Sequence, residues 1–234
     1  MQSLPINVYY WSTPNGRKVT VMLEELAVPY TVTYVDIDKR EQWTPAFERV
    51  SPNHQVPAII DPEGPGGEPI AVFESGAILL YLGRKFGRFY PQDDERARTA
   101  VETWLMWQMG SFGPFLGQAH HFNLGAAEDV PYAIERYGAI ARRLYAVLDA
   151  QLGRQACVAS DAFTIADIAI YCWAARHERH RIRLADYPRV ADWFERIGKR
   201  PAVVRGMAVI KPGHEDRAVV NPARATAASR AASA

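Results

Sequence analysis

The sequence contains little cysteine, no excess of either charge and no long hydrophobic run. Its 234 residues include two cysteines, Cys157 and Cys172, which are too few for a disulfide framework. The 27 lysine and arginine residues nearly balance the 26 aspartate and glutamate residues, so the basic excess typical of nucleic-acid-binding domains is missing. No apolar run approaches the roughly 20 residues that span a bilayer. We therefore expect a protein that binds neither nucleic acid nor membrane.

The N-terminus and the low cysteine content indicate the cellular compartment. The first residues contain no basic segment followed by an apolar core, which argues against a secretory signal. Unpaired cysteines are normal in the reducing cytosol. We expect a cytoplasmic protein in which both cysteines serve as small, buried apolar residues.

The first 86 residues alternate short strand-like and helix-like segments. Period-two patterns predict strands, and residues after Gly16 follow helical spacing. The predicted strands are Ile6–Trp11, Tyr30–Ile37, Ala58–Ile60 and Ile70–Phe73, and the later helices are Thr44–Val50 and Glu74–Phe86. The resulting order, βαβαββα, indicates an α/β domain with a mixed sheet over residues 1–86.

The remainder of the chain shows only helical periods. A linker containing glycine and proline at 87–92 separates the two patterns, and residues 93–211 are expected to form an all-helical bundle. The predicted helices are at about 93–112, 131–152, 165–178, 188–198 and 201–210. Residues 212–234 form a tail whose last part, rich in alanine, serine and arginine, is expected to be disordered.

Two short segments indicate a binding site for a small peptide with a free amino acid head. Proline after Val56 suits the start of a strand, and the extended Val56 backbone could pair with an added peptide strand. Glu74 and Ser75 begin an apolar helix, where free amides and a hydroxyl favour a carboxylate and the acidic side chain attracts an ammonium. Glutathione has a γ-glutamyl head and a cysteinyl middle, and so it fits this pattern.

These motifs resemble the glutathione S-transferase family over roughly residues 4–211. The segments Ser12–Gly16, Gln55–Ile59 and Glu74–Leu82 are similar to its thioredoxin-like N-terminal domain. Later segments, Phe115–Asn123 and Pro131–Tyr137, resemble the bacterial Nu class and Ure2-like glutathione-dependent disulfide reductases. The resemblance implies the transferase fold, a homodimer, a cis Val56–Pro57 bond, and glutathione as co-substrate, with two molecules or one glutathione disulfide in each site.

The reaction would require activation of the glutathione thiol. A free thiol has a pKa near ~8.5, so only a small fraction is the nucleophilic thiolate at neutral pH. Thr13 and Asn15 offer a hydroxyl and an amide at the start of the first helix, and they are our candidate thiolate donors. Ser12 is a rival, because a shift of one residue would bring its hydroxyl to the site. Alternatively, Asn15 only caps the helix and Thr13 only supports the turn.

Other residues are candidates for the remainder of the ligand. Gln42 could hold the peptide backbone or the glycine end, or it could be a solvated loop residue; Gln55 and His54 are secondary candidates for the same end. The resemblance implies that Arg136 binds a carboxylate of a second glutathione, from its own subunit or across the dimer. The alternative for Arg136 is a salt bridge to Glu135 or Glu128. We expect no metal, since His120 and His121 have no further ligands at useful spacing.

Three functions are compatible with this sequence. We favour glutathione-dependent reduction of disulfides, in which the bound glutathione thiolate attacks and no protein cysteine takes part. The alternative is conjugation of glutathione to electrophiles, which needs the same thiolate. From another class, the chain could be a catalytically silent glutathione-binding regulatory module.

Overall fold

The first half of the chain forms a mixed four-stranded sheet, as predicted. A computed structural model describes residues 4–213, so almost all of the predicted tail lies outside the described residues. The strands are β1 (Ile6–Tyr10), β2 (Tyr30–Tyr34), β3 (Ala58–Asp61) and β4 (Ile70–Phe73), in the spatial order β2-β1-β3-β4. β1 is parallel to β2 and antiparallel to β3, and β3 is antiparallel to β4.

The predicted order βαβαββα is also confirmed. The helices of this half are α1 (Pro14–Leu26), α2 (Pro45–Glu48) and α3 (Ser75–Phe86). β2 is shorter than the predicted Tyr30–Ile37 strand. The Asp36 carboxylate accepts the backbone amides of Asp38 and Lys39, and this local turn competes with further strand pairing.

The described part of the second half contains helices joined by turns and loops, and no strand. Its helices are α4 (Glu95–Trp107), α5 (Gly113–His120), α6 (Pro131–Leu152), α7 (Ile165–Ala174), α8 (Pro188–Gly198) and α9 (Pro201–Ala208). Within residues 4–213, no helix has the length and apolar character needed to cross a membrane.

Helix α5 was absent from the sequence prediction, which ended a helix at 112 and began the next at 131. Glycine and proline at Gly113, Pro114 and Gly117 lower the intrinsic helix propensity of this stretch. In the structure, π-helical turns at Gln108–Phe112 and His121–Gly125 continue the helical path on either side of α5. Tertiary packing therefore overrides local propensity here.

A buried polar cluster fixes the start of α7. Thr164 caps this helix, and the Asp167 carboxylate accepts the Thr164 amide at 3.0 Å, which completes a capping box. Asp167 also accepts the Val158 amide and the indole N–H of Trp193. This cluster holds the centre of the helical half.

The two halves pack closely along α1, which contacts α7 and α9. A Cβ atom at Gly206 of α9 would lie 2.5 Å from the Cα of Val21 in α1, so glycine permits this approach. Arg200 donates two hydrogen bonds, of 2.6 and 2.8 Å, to the Glu25 carboxylate. This packing brings the start of α1 against the helical half, where it helps to form the site described next.

Candidate functional site

An open cleft lies where the start of α1, the loop before β3 and the start of α3 meet. Its empty volume, including space that opens to solvent, is about 250 Å³. The lining residues come from three separate segments of the chain: Asn15; Ser51, Asn53, Gln55, Val56 and Pro57; and Phe73, Glu74 and Ser75. Most of these side chains are polar, so the cleft suits a polar ligand.

The loop before β3 presents its backbone to the cleft. The Val56–Pro57 peptide bond is cis, as the resemblance implies. Ser51 is buried, and its hydroxyl donates to the Gln55 carbonyl at 2.9 Å, which braces the loop. Within residues 4–213, no hydrogen bond is formed by the Val56 amide or carbonyl, so both are available to an extended ligand.

The junction of β4 and α3 presents a helix N-terminus to the cleft. Glu74 has a φ of 68°, in the left-handed region that non-glycine residues rarely adopt, and it is exposed. No side chain of the described residues caps α3, whose first residue, Ser75, is buried and lines the cleft. The free amides and the Ser75 hydroxyl suit a carboxylate, and Glu74 suits an ammonium group.

A buried lysine that the sequence analysis did not identify lies directly behind Ser75. The Lys18 ammonium donates to the Ser75 hydroxyl oxygen at 3.1 Å and to the Gln108 side-chain oxygen at 2.6 Å, with the Met109 sulfur at 3.4 Å. Burial lowers the pKa of Lys18 to about 7, while Glu74 acts in the opposite direction. The Ser75 hydroxyl in turn donates to the Met109 sulfur at 3.7 Å, a weak acceptor, so its hydrogen can turn to a stronger acceptor such as a carboxylate.

The three candidate thiolate donors at the start of α1 make different contacts. The Thr13 hydroxyl oxygen accepts the Gly16 amide at 3.1 Å, so Thr13, and not Asn15, caps α1. The alternative prediction that Asn15 caps this helix is therefore wrong. Asn15 lines the cleft, and its side-chain oxygen accepts the indole N–H of Trp173 at 2.9 Å. Ser12 and Thr13 are half-buried beside the cleft without lining it.

Two further candidates lie outside the cleft lining. Gln42 lies in a short helical turn, Glu41–Trp43, and its carbonyl accepts the His54 ring nitrogen Nδ1 at 3.0 Å. Arg136 is exposed on α6, and Glu135 pairs with Arg142 at 3.1 Å and not with Arg136. The ligand contacts of Gln42 and Arg136 remain predictions.

The protein's own thiols are unreactive at neutral pH. Cys157 and Cys172 are free and buried, as predicted. Burial raises the pKa of Cys157 to about 11 and that of Cys172 to about 12. Neither thiol provides a thiolate at neutral pH. In the described part of the chain, no three histidine, cysteine, aspartate or glutamate side chains are grouped as metal ligands.

The fold and the cleft define a two-domain protein with a thioredoxin-like N-terminal domain and a helical C-terminal domain. The glutathione S-transferase N-terminal domain matches residues 13–85, and the C-terminal domain of the same family matches residues 131–201. The chain therefore belongs to the glutathione S-transferase family, as its motifs predicted.

Individual relatives within this family are similar to the chain over most of its length. The chain is 47% identical over 207 residues to the disulfide-bond oxidoreductase YfcG of Escherichia coli K12, covering 88% of this chain and 95% of the relative. A glutathione transferase family member from Pseudomonas fluorescens, crystallised with two glutathione molecules, is 41% identical, with a TM-score of 0.82 and coverage of 86% of this chain and 92% of that one. A Pseudomonas putida glutathione transferase, crystallised with one glutathione disulfide per subunit, is 38% identical, with a TM-score of 0.84 and coverage of 89% and 92%.

Proposed function

We propose that this protein is a glutathione-dependent disulfide reductase that uses the thiolate of bound glutathione. The observation that carries the proposal is the convergence of Asn15, the unpaired Val56 backbone and the start of α3 at Ser75 on one cleft. Each of these groups matches a different part of glutathione. The relative YfcG is a disulfide-bond oxidoreductase, which supports the choice of disulfide reduction.

The ligand would lie across the cleft with its γ-glutamyl head at α3. Glu74 would attract the ammonium, and Ser75 with the α3 amides would bind the carboxylate. The cysteinyl backbone would pair with Val56 as an added strand. Gln55, which lines the cleft, and Gln42 beyond it would hold the glycine end.

This placement would bring the cysteinyl sulfur to the start of α1. Lowering a thiol pKa by two units requires about 2.7 kcal/mol of selective stabilisation of the thiolate. A hydrogen bond to a charged acceptor contributes about 1.5–3 kcal/mol, so one or two donors suffice. We assign the main donor role to the Asn15 amide. Thr13 is the second donor, because its hydroxyl can accept from Gly16 and still donate its own hydrogen.

The reaction proceeds by two thiol–disulfide exchanges. The glutathione thiolate attacks one sulfur of the substrate disulfide, so a mixed disulfide forms and the other substrate sulfur leaves as a thiolate. A second glutathione thiolate attacks the glutathione sulfur of the mixed disulfide, and the second substrate thiolate and glutathione disulfide leave. The buried, high-pKa protein cysteines have no part in either step.

The second exchange needs a second glutathione near the first. We assign Arg136 to a carboxylate of that molecule, since a guanidinium binds a carboxylate with two parallel hydrogen bonds. The neighbour crystallised with two glutathione molecules supports a paired arrangement. We also propose a homodimer of the Nu class acting in the cytoplasm, where reduced glutathione is abundant and free cysteines persist.

The test compares two activities in the wild type and in Asn15→Ala. Reduction of a small disulfide is coupled to glutathione reductase, and conjugation is measured with a generic electrophile. We expect strong disulfide turnover that falls about 10- to 100-fold in Asn15→Ala, as loss of a hydrogen bond to a charged group predicts. Dominant conjugation would favour the transferase alternative. Neither activity, in a folded protein that binds glutathione, would favour the regulatory module.

A further inference from the structure

We infer that Trp173 is a positioning residue that fixes which side of the Asn15 amide faces the glutathione sulfur. The inference rests on the proposed function, since it concerns the thiolate donor of that site. Trp173 lies on α7 in the helical half, whereas Asn15 lies at the start of α1 in the other half. The bond between them therefore crosses from one half of the protein to the other.

The chemistry of the two side chains sets the orientation of the amide. An indole has one N–H donor and no acceptor, so only the amide oxygen of Asn15 can be its partner. That oxygen lies 2.9 Å from the Trp173 nitrogen. The amide NH₂ group must then point to the other side of the planar amide. Because Asn15 lines the cleft, this orientation offers donors to an anion there and keeps the repelling oxygen away from it.

The Trp173 indole is itself held in a groove that two glycines create. Gly113 and Gly117 are four residues apart and share one face of α5. A Cβ atom at Gly113 would lie 2.6 Å from the Gln108 amide nitrogen and 3.3 Å from the indole nitrogen, and one at Gly117 would lie 3.3 Å from the ring atom Cη2. On another side the indole stacks on the buried His180 ring, with a centroid distance of 6.3 Å and an interplanar angle of 24°. The donor is thus preorganised by side-chain packing in the helical half.

This arrangement gives the helical half a direct influence on the thiol. Without the indole N–H, the Asn15 amide could rotate about its last torsion and turn its oxygen towards the sulfur. The thiolate would lose part of its stabilisation, while the γ-glutamyl contacts at Glu74 and Ser75 would remain. We therefore expect the pKa of the bound thiol to rise while the affinity of the site for the γ-glutamyl head of glutathione stays nearly unchanged.

The test measures the pKa of the bound thiol by ultraviolet absorbance of the thiolate during a pH titration. Trp173→Phe keeps an aromatic ring and removes the donor. We expect the bound thiol pKa to rise by about 0.5–1, a three- to tenfold loss of thiolate. Trp193→Phe is the matched control, because it removes an indole N–H that donates to Asp167 at 3.0 Å, outside the cleft lining. It should lower the melting temperature without changing the thiol pKa.

A double-mutant cycle separates positioning from general damage. If Trp173 acts through Asn15, Trp173→Phe has no further effect on the thiol pKa in an Asn15→Ala background. Should Trp173→Phe fold poorly, replacement of Trp173 by β-(3-benzothienyl)alanine substitutes sulfur for the N–H group at nearly constant shape. A folded donor-free variant with the wild-type thiol pKa would overturn this inference alone. If the wild type does not lower the thiol pKa, the proposed function fails and this inference fails with it.

Discussion

The buried Lys18 makes folding stability depend on pH in a way that can be isolated by one substitution. The pKa of Lys18 falls from its ordinary value of 10.5 to about 7 in the folded protein, because the ammonium is removed from water. The unfolded chain therefore binds one more proton than the folded chain between pH 7 and 10.5. Stability contributed through Lys18 must rise with pH across this window.

The size of this change in unfolding free energy follows from the folded and unfolded pKa values of Lys18. At 1.36 kcal/mol for each pH unit, the full difference amounts to about 5 kcal/mol, which is a cost of burying the charged form below pH 7. Between pH 7.5 and 9.5, the wild type should gain about 2.5 kcal/mol of unfolding free energy through this lysine. Lys18→Met removes the gain. It also leaves the buried Gln108 oxygen without its donor, which costs about 1–3 kcal/mol at every pH.

The assay is urea unfolding of both proteins at several pH values, without glutathione. The difference between wild type and Lys18→Met cancels the titration of all other groups. It should move in favour of the wild type by about 2.5 kcal/mol from pH 7.5 to 9.5. Lys199→Met is the control, because Lys199 is exposed and pairs with Glu195 at the surface. A difference between wild type and Lys18→Met that stays constant with pH would refute the argument, because the lysine would then be charged throughout.

Three further predictions concern the cleft and the thiols. Asn15→Asp should raise the pKa of the bound thiol more than Asn15→Ala does, because a carboxylate keeps the Trp173 bond and places a negative charge beside the sulfur. Thiolate absorbance during a pH titration measures the thiol pKa in both variants. Equal pKa values in the two variants would contradict the prediction. Ser75→Ala should raise the glutathione Kd about tenfold in calorimetry, with turnover at saturating glutathione nearly unchanged, since only the γ-glutamyl carboxylate loses a donor. The variant lacking both Cys157 and Cys172 should retain disulfide turnover within about twofold, whereas a large loss would implicate a protein thiol.

The sequence predicted those parts of the protein that depend on local pattern. Alternation and helical spacing were sufficient for the strand and helix order of the first half, because each segment buries one face. The cleft residues Val56, Glu74 and Ser75 could be predicted because proline before a strand and a serine at a helix start carry their chemistry in neighbouring residues. The helix α5 could not be predicted, because glycine lowers helix propensity and the reason for glycine here lies in tertiary packing: Gly113 leaves room for the Gln108 side chain, and Gly117 leaves room for Trp173.

Lys18 and Trp173 were missed for a related reason. Both are polar groups on largely buried helices, and each bonds to a cleft residue from a distant part of the chain: Lys18 to Ser75, and Trp173 to Asn15. A weak signal existed for Lys18, which shares one face of α1 with the buried Met22, one turn later. No such signal marks Trp173, since a tryptophan on an apolar helix is normally a core residue.

These two contacts imply that the two halves of the protein contribute different groups to the site. The thioredoxin-like half supplies the surfaces that the ligand would touch, namely the Asn15 amide, the Val56 backbone and the start of α3. The helical half supplies groups behind them: Gln108 holds the Lys18 ammonium beneath Ser75, and Trp173 holds the Asn15 oxygen. A change in how the two halves pack would therefore alter the charge beneath the carboxylate position and the donor at the sulfur together.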